Sequence, residues 1–150
     1  QKGRGEPAST MFEKLASFTE NADPGIKYFS GTATYTKIIT ANANWFSKDT
    51  QLWINLGDVK NLAEVIVNGK PLGIVWKKPF RVNVTGILKP GSNNLAVRVT
   101  DLWVNRLIGD AQPGVKNKIT YTTMPFYKAD SKLLPSGLIG PVKIIAVGKR

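Results

Sequence analysis

The chain has 150 residues, 42% of them hydrophobic, and a formal net charge of +11 from 21 Lys and Arg against 10 Asp and Glu. It contains no cysteine and no histidine, which excludes disulfides, thiolate and imidazole metal sites, and every triad that needs a His base. The length suits one domain with a core of its own, and no apolar run approaches the roughly 18 residues that cross a bilayer.

The positive charge favours polyanions: nucleic acid, an anionic membrane surface or an acidic polysaccharide. It also fits a solvated, lysine-rich surface that keeps the domain soluble. The basic residues are scattered, which argues against an arginine-rich nucleic-acid motif. The chain begins at Gln1 and its first methionine is Met11. No signal peptide is visible, so it reads as a processed chain or a piece of something longer.

In chain order, residues 1–10 form a Gly/Lys/Arg-rich segment expected to be a mobile tail, with a single domain over 11–150. Met11, Phe12, Leu15 and Phe18 recur at helical spacing behind Ser9 and Thr10, with Glu13 as the reciprocal cap, and predict a short helix. Asp23-Pro24-Gly25 is a turn. The text then becomes β. Residues 26–39 give one or two strands broken at Ser30-Gly31. Residues 51–56 alternate, with Leu52, Ile54 and Leu56 inward and Trp53 outward. Asn68-Gly69, between Val65, Val67, Leu72 and Ile74, marks a tight hairpin. Phe80, Val82 and Val84 alternate again. A Pro-Gly turn at 90–91 feeds Leu95, Val97 and Val99.

After Thr100 the alternation stops. Residues 101–110 gather Leu102, Trp103, Val104, Leu107 and Ile108 around Asn105 and Arg106. Such a loop either plugs the core or forms a recognition surface, and Trp103 is expected in the core. Residues 111–137 are rich in Pro and Gly, with an edge strand expected at Ile119–Thr123, and 142–147 close the sheet. About eight short strands with regular turns predict an all-β fold, an antiparallel jelly-roll β-sandwich.

Several stretches then form one ordered pattern: YFSGTATYTK at 28–37, INLGDV at 54–59, AEVIVNGKPLGIVWKKPFRVNVT at 63–85, LKPGSNNLAVRVTDLWVNRLIGD at 88–110 and LLPSGLIGPVKI at 133–144. Together they resemble the galactose-binding-like β-sandwich at the C-terminal end of large bacterial glycoside hydrolases, in particular family 106 α-L-rhamnosidases. The NGxxLGxxW and PGxNxLxVxV pieces are also similar to the sugar-binding domain of family 2 glycosidases. The resemblance implies an accessory domain whose catalytic carboxylates lie in a separate barrel, and a secreted, periplasmic or cell-surface setting. Whether such a domain binds glycan or only braces the enzyme is not fixed by fold.

Exposed aromatic rings stack on the apolar faces of sugars, and Lys, Arg and Asn reach hydroxyls or uronates. The candidate carbohydrate site is therefore Trp45, Trp76, Lys77, Lys78, Asn105 and Arg106, at the loop ends. Trp45, in a polar loop, is expected to be the most exposed tryptophan. Arg106 can instead pair internally with Asp110 or Asp101 and hold the loop. No cofactor is expected; a structural calcium ion would have Asp49, Asp58, Asp101 and Asp110 as ligands, although no EF-hand-like loop is present. A glycosidase pair needs carboxylates about 5 to 10 Å apart across a cleft. Asp101 and Asp110 could meet that distance by chance, as could many pairs, and no other feature supports it, so the chain is not expected to be an enzyme. The functional expectation is a glycan-binding or accessory domain with acidic pectic glycans, such as rhamnogalacturonan, as ligands and a catalytic domain as partner. A purely structural module is the alternative, with nucleic-acid binding a distant third.

Overall fold

The computed structural model describes residues 6–148. Among the described residues nine strands carry the fold: β1 (Thr32–Ala41), β2 (Thr50–Asn55), β3 (Asp58–Lys60), β4 (Leu62–Val67), β5 (Lys70–Val75), β6 (Arg81–Asn83), β7 (Gly91–Thr100), β8 (Gly137–Gly140) and β9 (Lys143–Gly148). Two short α-helices accompany them, α1 (Pro24–Lys27) and α2 (Val104–Asp110). Every strand pairing is antiparallel. One sheet has the order β1-β7-β4-β5, a second has β6-β2-β9, and β3 pairs with β8.

The two larger sheets bury one common core, because each contributes alternate residues to it. β2 supplies Leu52 and Ile54, β4 supplies Ala63, Val65 and Val67, and β7 supplies Leu95, Val97 and Val99. The all-β antiparallel sandwich expected from the alternation is the fold observed. At the β4–β5 hairpin, Asn68 and Gly69 both take positive φ, 51° and 80°, as a two-residue turn between twisted strands requires. The Asn68 amide accepts from Asn94 N and donates to Asn93 Oδ1. Asn93 is buried and also bonds the 89–91 turn, so two turns are fastened by one side-chain network. A register shift between Glu64 and Ile66 reorients β5, and Ile74, read as part of the apolar hairpin flank, is 61% exposed.

Two other expectations, the N-terminal helix and the edge strand at Ile119–Thr123, are corrected. Of the expected tail, residues 1–5 lie outside the described residues, and 6–10 carry no helix or strand. The N-terminal helix does not form: among the described residues before β1, only a 3-10 turn at Phe18–Glu20 and α1 are helical. Tertiary contacts override the helical spacing. Phe18 N donates to Ser136 O, Ser17 Oγ accepts from Ser136 N, and Phe18 stacks on Tyr35 at 6.0 Å with Phe12 and Phe29 around them. Met11 is left 92% exposed. The edge strand at Ile119–Thr123 is also absent, since Ile119 N and Thr120 N donate to the Asp110 carboxylate instead of to a neighbouring strand.

Candidate functional site

The stretch from Asp101 to Asp110 folds back on the sandwich as α2, whose inner side buries Asn105, Ile108, Gly109 and Asp110. A helix of seven residues has one inward stripe, and Ile108 fills it, at 1% exposure. Trp103 therefore stands at the N-terminal cap, 47% exposed rather than in the core.

Asn105 is not available to a ligand. Its Nδ2 donates to Leu134 O at 2.7 Å and its Oδ1 accepts from Leu134 N at 2.9 Å, so the amide replaces a strand partner for Leu134. Arg106 is nearly as enclosed. Its Nη2 lies 3.0 Å from Asp110 Oδ1, one helical turn away, and its side chain is 12% exposed. The contact is ionic rather than a well-directed hydrogen bond, because Asp110 Oδ1 and Arg106 Nε have no hydrogen-bond partner among the described residues. Asp110 Oδ2 accepts from Thr120 Oγ1, Thr120 N and Ile119 N at 2.7, 2.7 and 2.9 Å. Burial acts to raise the Asp110 carboxyl, but these donors and Arg106 outweigh it and hold it below the usual range.

Asp101, at the end of β7, has the opposite balance. One oxygen accepts from Gly137 N at 2.9 Å, and Oδ2 has no hydrogen-bond partner among the described residues. Burial pushes this carboxyl up to about 7, against the single backbone hydrogen bond. Beside it, Tyr35 Oη accepts from Leu138 N at 3.0 Å, and burial raises the phenol well above its ordinary range. Gly137 lies in between with φ +87°, and a Cβ there would sit 2.6 Å from Tyr35 Oη. Tyr35, Ser17 and Thr120 were not singled out in the sequence. Their roles depend on partners far along the chain, and no local spacing signals them.

The tryptophans separate clearly. Trp45 belongs to a 3-10 turn at Ala43–Trp45 and packs, half-buried, against the core, so the polar loop does not display it. Trp53 faces away from the core and is covered by Arg81, whose guanidinium lies 4.9 Å from the ring centre. Trp76 is 68% exposed just past β5, with Lys77 Nζ 5.4 Å from its ring. Lys78 reaches to 4.0 Å from Asp58, which also pairs with Lys60 at 3.0 Å. Of the six candidate residues, only Trp76, Lys77 and Lys78 form one accessible surface. The aspartates named as calcium ligands do not converge: among the described residues no three acidic groups could share an ion.

No protein-family model matches the chain. It is 46% identical to a solved rhamnosidase from Novosphingobium sp. PP1Y, with a TM-score of 0.92 over 98% of this chain and 14% of that one. It is also 42% identical, over 156 aligned positions, to a protein of Formosa agariphila provisionally named a beta-glucuronidase, covering 89% of this chain and 13% of the relative. The chain thus spans about one seventh of these relatives. A beta-glucuronidase from an uncultured Clostridium sp. superposes with a TM-score of 0.62 over 96% of this chain at 20% identity, a likeness of fold alone. The resemblance to a part of larger glycoside hydrolases is supported; its assignment to family 106 goes further than these matches.

Proposed function

We propose that this chain is an accessory β-sandwich module of a larger glycoside hydrolase, of the rhamnosidase type, and that it braces that enzyme rather than performing its chemistry. The observation that carries this reading is a match over nearly the whole chain to only 14% of a rhamnosidase. The interior agrees with it. A hydrolytic carboxyl pair must face a cleft that admits sugar, whereas Asp101 and Asp110 are 6% and 4% exposed and are bonded to backbone of this same fold. The extracytoplasmic setting of a secreted, periplasmic or surface enzyme goes with the same reading.

A second reading is favoured by one feature. Trp76 offers an open ring face beside Lys77 and Lys78, a combination suited to stacking on a sugar and pairing with a uronate. Calorimetric titration with rhamnogalacturonan, polygalacturonate and a neutral glucan at moderate salt separates the two. A bracing module is expected to give no saturable heat with any of them. Saturable binding to one pectic glycan, abolished by Trp76→Ala, would replace the bracing role with glycan recognition.

A further inference from the structure

The segment that follows α2 displays its largest apolar side chains outward. Tyr121, Met124 and Phe126 are 88%, 79% and 79% exposed, and Leu134, at the far end, is 40% exposed. Isolated exposed apolar residues are ordinary, but a group of large ones on one segment marks an interaction surface. This segment is also held in position. Asp110 takes Ile119 and Thr120, Gln112 Nε2 donates to Ala129 O at 2.9 Å, and Asn105 takes both backbone groups of Leu134. Within it, Thr122 bonds Met124, Lys128 and Ser131 bond each other, and Phe126 meets Tyr127 edge-on at 5.2 Å. Three polar side chains on or just past α2 thus fix a loop that has no strand partner among the described residues, while Tyr121 and Phe126 point to solvent. Fixing a loop in advance lowers the ordering cost of docking.

We infer that the loop over residues 119–134, anchored by α2, is the surface through which this module docks onto the remainder of its enzyme, and that the face it meets is apolar at its centre with carboxylates around it. The inference rests on the accessory-module reading above. An aromatic and methionine centre with a charged rim is the composition of a protein interface. Here Lys116, Lys118, Lys128 and Lys132 are all exposed and Asp130 is the sole acid from 116 to 134, so an acidic rim complements it. Leu102 and Leu134 line one small cleft of about 30 Å³ with Val104 and Pro135, which extends the apolar surface from the loop to the start of α2.

The test uses the Novosphingobium rhamnosidase with its matched segment replaced by this chain, beside the chain alone. In the chimera, amides of 121–128 are expected to exchange at least about tenfold more slowly than in the isolated chain, as burial in an interface requires. Tyr121→Ser with Phe126→Ser should leave the melting temperature of the isolated chain unchanged and lower that of the chimera. Lys118→Glu with Lys128→Glu should do the same without removing apolar area. Equal exchange in both contexts, with neither pair of substitutions altering the chimera, would overturn the inference. So would concentration-dependent dimerisation of the isolated chain that is lost in the Tyr121/Phe126 variant, which would give the loop to a second copy. Should the unsubstituted chimera melt in two independent transitions, with the module at its isolated temperature, the accessory-module reading itself would fail. That outcome is distinct from a loop that simply faces solvent in an otherwise joined enzyme.

Discussion

Asp101 and Asp110 bracket α2, and both are more than nine-tenths buried, yet their carboxyl groups are displaced in opposite directions. Desolvation acts on each in the same sense, favouring the neutral acid. At Asp110 three donors and the Arg106 guanidinium overcome it; at Asp101 a single amide does not. Burial alone therefore says little about the charge state of an acid inside this sandwich. The count of donors aimed at it decides. The functional consequence is a division of labour: Asp110 is an ionised clamp that holds a displayed loop, whereas Asp101 is a poorly compensated link between β7 and β8.

The largest expected effect comes from breaking the compensated side. Asp110→Ala leaves the Arg106 guanidinium enclosed without its counter-charge and frees Ile119 N and Thr120 N, at a cost of about 3 to 5 kcal/mol. Chemical denaturation should show this as a lower midpoint, and amides near 119–120 should lose their exchange protection. A midpoint within error of the parent would mean that the clamp contributes nothing.

On the other side, Gly137→Ala attacks the one donor that Asp101 has. A Cβ at φ +87° would meet Tyr35 Oη at 2.6 Å and the Phe18 ring at 3.2 Å. The strained backbone and the displaced aromatic cluster together should cost about 2 to 4 kcal/mol. Tyr35→Phe in the Gly137→Ala background should recover part of that loss if the hydroxyl is the obstruction, and thermal melts of the two variants provide the check.

The remaining effect is a dependence on pH. Because the folded Asp101 carboxyl titrates at about 7 and an unfolded aspartate at about 4, the folded state binds this proton more tightly. Its contribution is fully present below the unfolded value and is lost as pH rises towards the folded one. Asp110, with a lowered value, contributes in the opposite sense: its stabilisation is present above the unfolded value and disappears in acid. Asp101→Asn should therefore remove a loss on the order of 4 kcal/mol that the parent suffers between about pH 4 and pH 8. Denaturant midpoints across that range measure it. Parallel profiles for parent and variant would show that Asp101 stays ionised throughout.

Much of this fold is legible in the amino-acid sequence. The alternation in 51–56, 80–84 and 95–99 places the core, because a strand with one buried face must repeat every second residue. Asn68-Gly69 places the hairpin, because two successive residues of positive φ tolerate few other pairs. The pairing of Arg106 with Asp110 was one of two internal partners open to it, and their spacing of four on a helix settles it once α2 is known. Local reasoning erred at the N-terminus, where helical spacing at Met11, Phe12, Leu15 and Phe18 yields to pairing with Ser136. It erred again at Trp45 and Trp103, whose burial is the reverse of the expected order.

The sequence by itself determined the sandwich, its main strands and the absence of cysteine and histidine chemistry, since these follow from composition and short-range periodicity. Only the tertiary structure decided that Asn105 and Arg106 are internal, that Trp76 keeps an open face, and that the segment after α2 displays Tyr121, Met124 and Phe126. Those outcomes depend on which distant backbone groups lacked partners. Leu134, Gly137, Ile119 and Thr120 each required an acceptor or donor once their neighbours had folded, and the polar side chains of the 101–112 stretch were the ones within reach.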